Sequence, residues 1–224
     1  MDYAAEYGQM HANPKRFPGY AILPYVNHIS RLVKACSPRA ILDYGCGKGY
    51  QYLSQRVHDE WGGLLPHCYD IGVRQLATAP TRQFDAIICT DVLEHVEEAD
   101  LPDFLINVLS FLHTREETSN PFVFFSVSCV PSTHKVLADG RNVHVTQKDP
   151  AWWLSLLQSV HRDDSIYSIV FETKDRRFNH SLIDRTDGRP SAWGVLIDGQ
   201  PSLENPGFNF ELSRELTSPS TTGQ

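Results

Sequence analysis

The sequence predicts an α/β protein built on a doubly wound, mostly parallel β-sheet that ends in an antiparallel strand pair. Short, nearly continuous apolar runs alternate along the chain with segments whose apolar residues recur at helical spacing. This alternation is typical of parallel strands joined by covering helices. A glycine-rich turn follows the first run and an aspartate ends the second, at the sheet edge where such folds bind ligands.

The first elements lie between residues 23 and 70. "LPYVNHISRLVKAC" has apolar residues at helical spacing and predicts a helix. Residues 40–44 are predicted to form a short apolar strand, followed by the turn "GCGKG" and a second helical segment. "HCYDIG" predicts another short strand, which ends at Asp70.

The later elements repeat this alternation. "ADLPDFLINVLSFL" has an apolar stripe of about the width that a sheet-covering helix needs. Asp149 and Pro150 are residue types preferred at the N-cap and first position of a helix, and Trp153 falls on the buried face of that helix. Strands are predicted at residues 84–91, 121–130, 165–174 and 191–199, of which the last two form the antiparallel pair.

The composition bounds the domain organisation. The chain has 224 residues, 41% of them hydrophobic, which suits one domain with a substantial core. We expect this domain at residues 21–200, preceded by a segment, 1–20, that covers a bound ligand. Residues 201–224 are rich in Ser, Thr, Pro and Gly, so a disordered tail is expected there.

Charge and cysteine content exclude several classes of protein. The net charge is −7 without any basic block, which argues against a protein that holds long nucleic acid through its phosphates. Five cysteines without a C-x-x-C pair predict reduced thiols and a cytoplasmic protein. No apolar run resembles a signal peptide or is long enough to cross a bilayer, so no membrane contact is expected.

The glycine turn predicts a ligand that touches the backbone. "DYGCGKG" places Gly45, Gly47 and Gly49 between a strand and a helix, where small residues allow close approach. A dinucleotide fingerprint would need glycine or alanine at the position of Tyr50, which counts against a nicotinamide-dependent oxidoreductase.

Two acidic residues near the turn narrow the ligand class. Asp43, just before the turn, would oppose a pyrophosphate but suit a cationic ligand. Asp70 lies 21 residues beyond Gly49, about where a carboxylate holds a ribose diol. A ribose and a positive charge without phosphate describe S-adenosylmethionine.

These motifs resemble those of class I S-adenosylmethionine-dependent methyltransferases. "ILDYGCGKG" is similar to their first motif, Asp70 occupies the place of their ribose-binding acid, and "FDAIICTDVLEHV" resembles their fourth-strand motif. The resemblance covers roughly residues 38–200 and implies a Rossmann-like fold. It implies cofactor contacts at Asp43, Gly45, Cys46, Gly47, Asp70, Thr90 and Asp91, with Tyr7 and His11 contributed by the covering segment.

One spacing departs from the family pattern. Only 13 residues separate Asp70 from Phe84, too few for the usual helix and third strand. We therefore expect a sheet trimmed at that edge, with a loop at 71–83. The covering role of segment 1–20 also has an alternative, a mobile terminus with a few packed aromatic residues.

The segment "TDVLEHV" carries the candidate catalytic residues. Asp91, Glu94 and His95 stand at i, i+3 and i+4, so one helical turn would place them on one face. One hypothesis makes His95 a general base that Glu94 orients, with His144 also near the acceptor. The alternative is a solvated first helical turn, in which acidic residues favour the positive end of the helix dipole.

A second hypothesis adds a metal ion. The run Asp-x-x-Glu-His with a later histidine is similar to metal-assisted quinone-precursor O-methyltransferases and 3′-terminal ribose methyltransferases of small RNAs. That likeness implies Mg, Mn or Zn held by Asp91, Glu94, His95 and His144. Many class I methyltransferases that use no metal carry a similar Leu-Glu-His run, so both readings stay open. His134 and Arg141 lie in the same later stretch, and Arg141 is a candidate for an anionic substrate group.

The sequence thus predicts methyl transfer from S-adenosylmethionine to oxygen or nitrogen of a small-molecule acceptor. Transfer to the ribose 2′-oxygen of RNA is an alternative that the acidic composition weakens. A non-catalytic module that only binds the cofactor is another.

Overall fold

The computed structural model describes most of the chain between residues 2 and 174. The described ranges are 2–113, 121–133, 135–160 and 165–174, together with the backbone of 177–182, 193–197 and 200–201. His134 and, apart from Pro201, the expected tail at 201–224 lie outside these residues.

Five parallel strands form the main part of a Rossmann-like sheet. They are β1 (Ile41–Tyr44), β2 (His67–Tyr69), β3 (Ala86–Thr90), β4 (Phe122–Ser128) and β5 (Ile166–Glu172), in the spatial order β2-β1-β3-β4-β5. This order reverses between β1 and β3, so the connections leave a crevice at the carboxyl ends of these two strands. The α/β class and the parallel sheet predicted from the sequence are confirmed.

The sheet continues through antiparallel strands. β6 (Arg177–Leu182) pairs with β5, β7 (Trp193–Ile197) pairs with β6, and β8 (Gln200–Pro201) pairs with β7. The direct pairing expected between segments 165–174 and 191–199 is not observed, because β6 lies between them. The sequence of β6, "RFNHSL", has too few apolar residues to predict a strand by itself.

The opposite edge of the sheet is short. β2 is the edge strand, and residues 71–83 contain no further strand. This agrees with the trimmed edge expected from the spacing between Asp70 and Phe84. Asp70 follows β2 at this edge.

Five α-helices accompany the described strands. They are α1 (Tyr3–His11), α2 (Val26–Cys36), α3 (Tyr50–Leu53), α4 (Leu101–Ser110) and α5 (Pro150–Ser159). α2, α4 and α5 agree with their sequence patterns, and the carboxylate of Asp149 accepts a hydrogen bond from Trp152 N at 2.9 Å as the expected N-cap. The helix after the glycine turn is a single turn, α3, and α1 was not predicted.

Both faces of the sheet are buried. Because side chains alternate along a strand, Leu42 and Phe125 pack with α4 and α5, whereas Ile41 and Phe124 pack with α2. Trp153 belongs to the first of these layers and is fully buried, as its helical spacing predicted. The two layers hold the carboxyl ends of β1 and β3 in fixed positions.

No helix in the described part of the chain is both long enough and apolar enough to cross a membrane.

The central layer gives a stability prediction. Leu42 is 0% exposed in the strand that precedes the glycine turn, whereas Leu65 is 60% exposed. We expect Leu42→Ala to lower the free energy of unfolding by about 2–5 kcal/mol, because it removes buried methyl groups and leaves a cavity. The matched control Leu65→Ala should change it by less than about 0.5 kcal/mol. Urea unfolding measures both, and equal effects would contradict the assigned core.

Candidate active site

A cavity of about 380 Å³ lies at the carboxyl ends of β1, β2 and β3. Its volume falls within the range of about 300–1,000 Å³ common for small-molecule sites. The sequence-predicted site residues that line it are Tyr7, His11, Gly45, Gly47, Asp70, Thr90, Asp91, His95 and His144. Asp43, Cys46 and Glu94 do not line it.

The glycine turn between β1 and α3 is closely packed. Gly45 and Gly47 have positive φ angles of 85° and 60°. A Cβ atom added at Gly45 would lie 2.3 Å from Cγ2 of Val92, and one at Gly47 would lie 2.7 Å from the carbonyl oxygen of Phe17. Glycine is therefore required at both positions because neighbouring segments of the protein approach the backbone.

The N–H groups of this turn are used internally. Every backbone N–H of residues 45–50 donates to an acceptor of the chain itself, so none is left for a phosphate. The acceptors are, in order, Tyr69 O (twice), Asp70 Oδ2, Phe17 O, Cys46 O and Pro18 O.

Asp70 forms the acidic wall of the cavity. Its Oδ2 accepts a hydrogen bond from Gly47 N at 2.8 Å, and its Oδ1 accepts one from Gly72 N at 2.9 Å. His11 Nε2 lies 3.4 Å from Oδ1. Burial raises the pKa of Asp70, whereas the hydrogen bonds from Gly72 and Gly47 oppose that shift. A carboxylate oxygen can accept more than one hydrogen bond, so this side chain keeps capacity for ligand hydroxyls.

Asp43 is buried between the glycine turn and α3 and does not face the cavity. The side chain is 1% exposed, and Oδ2 accepts hydrogen bonds from Tyr52 Oη at 2.7 Å and Gln51 Nε2 at 3.1 Å. Gln51 Nε2 also donates to the carbonyl of Cys46 at 3.0 Å. Asp43 and Cys46 therefore shape the turn, and the expectation that they contact the ligand from the wall does not match their position.

The N-terminal segment lies over the cavity. Tyr3 Oη donates to Asp100 Oδ2 at 2.6 Å and accepts a hydrogen bond from Glu97 N at 2.9 Å, which ties α1 to the segment after β3. Tyr7 Oη donates to the carbonyl of His95 at 3.4 Å. α1 therefore contributes Tyr3, Tyr7 and His11 to the lining of the cavity.

Phe17 links this segment to the rest of the site. Its ring lies 5.0 Å from the ring of His11 in a stacked arrangement and 6.0 Å from that of His95, edge to face. Burial, with the charge of Lys48, lowers the pKa of His11 to about 4, so its imidazole is neutral near pH 7. Phe17 lies within the predicted covering segment 1–20, but no sequence pattern singled it out.

Aromatic residues form an apolar part of the cavity that the sequence did not identify. Tyr44 lies 4.7 Å from Tyr69 and 5.6 Å from Phe104, measured between ring centroids, and Ile71 lines the same cavity. Flat apolar walls of this kind suit a planar ring. Phe104 belongs to the apolar stripe of α4, which predicted a core position and gave no signal of a cavity.

Asp91 does not share a helical turn with Glu94 and His95. Its φ angle is +53°, its N–H donates to Ser126 O at 3.1 Å, and its Oδ1 accepts a hydrogen bond from Ser126 Oγ at 2.6 Å. Only Leu93–His95 form a short 3-10 helix. The predicted common face is wrong, because β4 holds Asp91 in a left-handed conformation before the helix begins.

The structure does bring together Glu94, His95 and His144. One potential ligand atom from each lies within 4.8 Å of the others, and Asp91 is not part of this group. The rings of His95 and His144 are 4.9 Å apart and nearly perpendicular. Segments 50 residues apart therefore converge, as the resemblance implied for three of the four residues.

Backbone carbonyls set the tautomers of both histidines. Nδ1 of His95 donates to Val143 O at 3.0 Å, and Nδ1 of His144 donates to Val130 O at 2.6 Å. A carbonyl can only accept, so each Nδ1 carries the hydrogen and each neutral ring keeps a lone pair on Nε2. This arrangement is common for histidines that bind a metal or accept a proton.

Burial disfavours the charged forms of all three side chains. It lowers the pKa of His95 to about 3, with His144 and Lys135 adding to the shift, and it also lowers the pKa of His144. Burial and the charge of Asp91 raise the pKa of Glu94, whose Oε1 accepts a hydrogen bond from Ser128 N at 3.0 Å. Its Oε2 is buried without a hydrogen-bond partner among the described residues.

Arg141 lies away from the cavity. It forms ion pairs with Glu97 and Asp139, at 2.8 Å and 2.7 Å, and about half of its side chain is exposed. The basic residue that lines the cavity is Lys135, which sequence analysis did not select. The candidate role of Arg141 toward an anionic substrate is therefore not supported by its position.

Comparison with protein-family models, curated proteins and solved structures finds no match to this chain.

The buried Asp43 predicts a pH dependence of stability. Burial raises its pKa to about 6, against the hydrogen bonds from Tyr52 and Gln51. Because the folded pKa exceeds the unfolded value, this group favours folding most below about pH 4, and that contribution is lost as the pH rises through 6. The free energy of unfolding of Asp43→Asn relative to the wild type should therefore increase by about 3 kcal/mol between pH 4 and pH 8. Urea unfolding at several pH values measures it, and a constant difference would contradict the assignment.

Proposed function

We propose that this chain transfers the methyl group of S-adenosylmethionine to oxygen or nitrogen of a small-molecule acceptor. The observation that carries the proposal is the cavity at the reversal of strand order, where Asp70 faces a glycine turn without a free N–H group. A carboxylate beside such a turn favours a ligand with hydroxyls and no phosphate. Adenosine with a sulfonium meets both conditions, whereas a dinucleotide would need free N–H groups.

Residues of the cavity are suited to the ribose and to the base of this ligand. The carboxylate of Asp70 can accept hydrogen bonds from ribose hydroxyls, and the apolar walls at Tyr44 and Ile71 can hold a planar base. The sulfonium, when bound, supplies a methyl group already activated for displacement, so the protein has mainly to align donor and acceptor.

Two neutral histidines are candidates to remove a proton from the methyl acceptor. Both His95 and His144 line the cavity and keep a free Nε2 lone pair, which can take a proton from an acceptor hydroxyl or amine. The pKa of about 3 makes His95 a weak base, and the carbonyl of Val143 rather than Glu94 orients its ring. The low basicity of His95 therefore favours His144 as the proton acceptor.

The group of Glu94, His95 and His144 also supports a metal-assisted form of the reaction. Two neutral imidazoles and one carboxylate with a free oxygen are a donor set typical of Zn²⁺ and compatible with Mn²⁺. A divalent metal held there would lower the pKa of a bound acceptor hydroxyl. An RNA acceptor has no specific support in the structure, and a non-catalytic module would bind the cofactor without turnover.

Cofactor binding is tested by comparing two glycine substitutions. Wild-type protein should bind S-adenosylhomocysteine in calorimetry and show no comparable binding of NAD. Gly47→Ala should weaken S-adenosylhomocysteine binding at least about 10-fold, because the new Cβ would clash with Phe17 O and displace the covering segment. Gly62→Ala is the matched control, since Gly62 has a similar φ of 89° with nothing within 4 Å. Undiminished affinity in Gly47→Ala would contradict the proposed turn.

Metal binding is tested separately by equilibrium dialysis with Zn²⁺ and Mn²⁺. Glu94→Gln should lower metal affinity about 10- to 100-fold, because it removes the anionic ligand. Glu98→Gln is the control, since Glu98 pairs with Lys148 outside the cavity. Equal retention by both variants would exclude the metal group, as would full methyltransferase activity in excess chelator.

A further inference from the structure

Lys135 places a positive charge in the wall of the cavity. Its side chain is half-buried and lines the same space as His11, His95 and His144. Its Nζ lies 4.2 Å from the centre of the Phe17 ring, a cation–π contact with the covering segment. The charge therefore faces the region where the candidate catalytic histidines meet.

No carboxylate of the described chain neutralises this charge. Among the described residues, the ammonium group of Lys135 forms no hydrogen bond or ion pair. Its interaction with the described chain is the cation–π contact with Phe17. Asp91, which accepts a hydrogen bond from Ser126, and Glu94 raise the pKa of Lys135 through their charges, and the charge of Arg16 opposes them. Burial lowers the pKa of Lys135, which is the expected response of a cation without a partner.

The rings near Lys135 carry no charge: Phe17 is apolar, and the imidazoles of His11 and His95 are neutral near pH 7. The charge of Lys135 contributes to the lowered pKa of His11, His95 and His144, so all three rings sense its field while staying uncharged. In such surroundings an anion gains more from an ammonium group than it would in water. A ligand anion would also give Lys135 the hydrogen-bond acceptor that the described chain does not provide.

We propose that Lys135 recognises a carboxylate of the bound ligand and that the acceptor of this site is a hydroxy- or amino-carboxylate. The proposal rests on the proposed function for the identity of the reaction, and on the position of Lys135 for the charge. The carboxylate has two possible sources, the acceptor or the amino-acid end of the cofactor. Proximity to His95 and His144 favours the acceptor, with its carboxylate on Lys135 and its nucleophile near Nε2 of His144.

The test measures anion binding in Lys135→Met and Lys135→Arg. Benzoate and its neutral isostere benzamide are titrated by calorimetry into the full chain, with and without S-adenosylhomocysteine. S-adenosylhomocysteine is compared with methylthioadenosine, which keeps the nucleoside and sulfur but lacks the amino-acid end. Lys34→Met, at an exposed lysine of α2 that does not line the cavity, controls for net charge. Thermal unfolding confirms that each variant is folded.

We expect Lys135→Met to weaken benzoate binding about 10- to 100-fold, with benzamide unchanged and Lys135→Arg restoring most of the affinity. If S-adenosylhomocysteine binding falls instead while methylthioadenosine binding does not, the carboxylate belongs to the cofactor, and recognition by Lys135 still holds. The inference would be overturned if Lys135→Met bound benzoate and S-adenosylhomocysteine with unchanged affinity. It would also be overturned if neither of these carboxylates bound to the wild type. If the wild type binds neither S-adenosylhomocysteine nor methylthioadenosine, but its benzoate binding depends on Lys135, the proposed function fails. The anion recognition by Lys135 then still stands.

Discussion

The hydrogen bonds that saturate the glycine turn are the feature on which the rest of the site depends. Asp70 accepts from Gly47, while the carbonyls of Phe17 and Pro18 accept from Lys48 and Tyr50. These contacts join the second strand and the covering segment to the turn, so all three are positioned together. They also remove the anion-binding capacity that a strand–turn–helix junction usually has. The proposed ligand class therefore rests on the absence of free N–H groups in the turn as much as on the carboxylate of Asp70.

Burial has opposite consequences for the acids and the bases of the site. It keeps His11 and His95 neutral, so their lone pairs are available near pH 7. It raises the pKa of Asp43 and of Glu94, which have few compensating charges. Lys135 is a half-buried cation near neutral rings, where its charge attracts an anion more strongly than it would in water. The cavity therefore combines an acidic wall at Asp70 with a basic one at Lys135.

Phe17 connects these two properties. Its carbonyl oxygen accepts a hydrogen bond from the turn, whereas its ring stacks on His11 and contacts Lys135. Movement of the covering segment would thus free an N–H group of the turn and withdraw the cation–π partner of Lys135 at once. Both contacts therefore depend on the position of this one residue.

Local sequence was sufficient for the strands of the parallel sheet, for α2, α4 and α5, and for the turn with its aspartate at position 70. These features follow from apolar periodicity, from N-cap preferences and from the steric need for glycine, all of which act within a few residues. Contacts between distant segments were needed for the rest. Ser126 draws Asp91 out of the expected helical turn, β6 separates the two final predicted strands, and Lys135 rather than Arg141 faces the cavity. No periodic signal encodes such pairings, because each depends on where the packed layers place side chains that lie tens of residues apart.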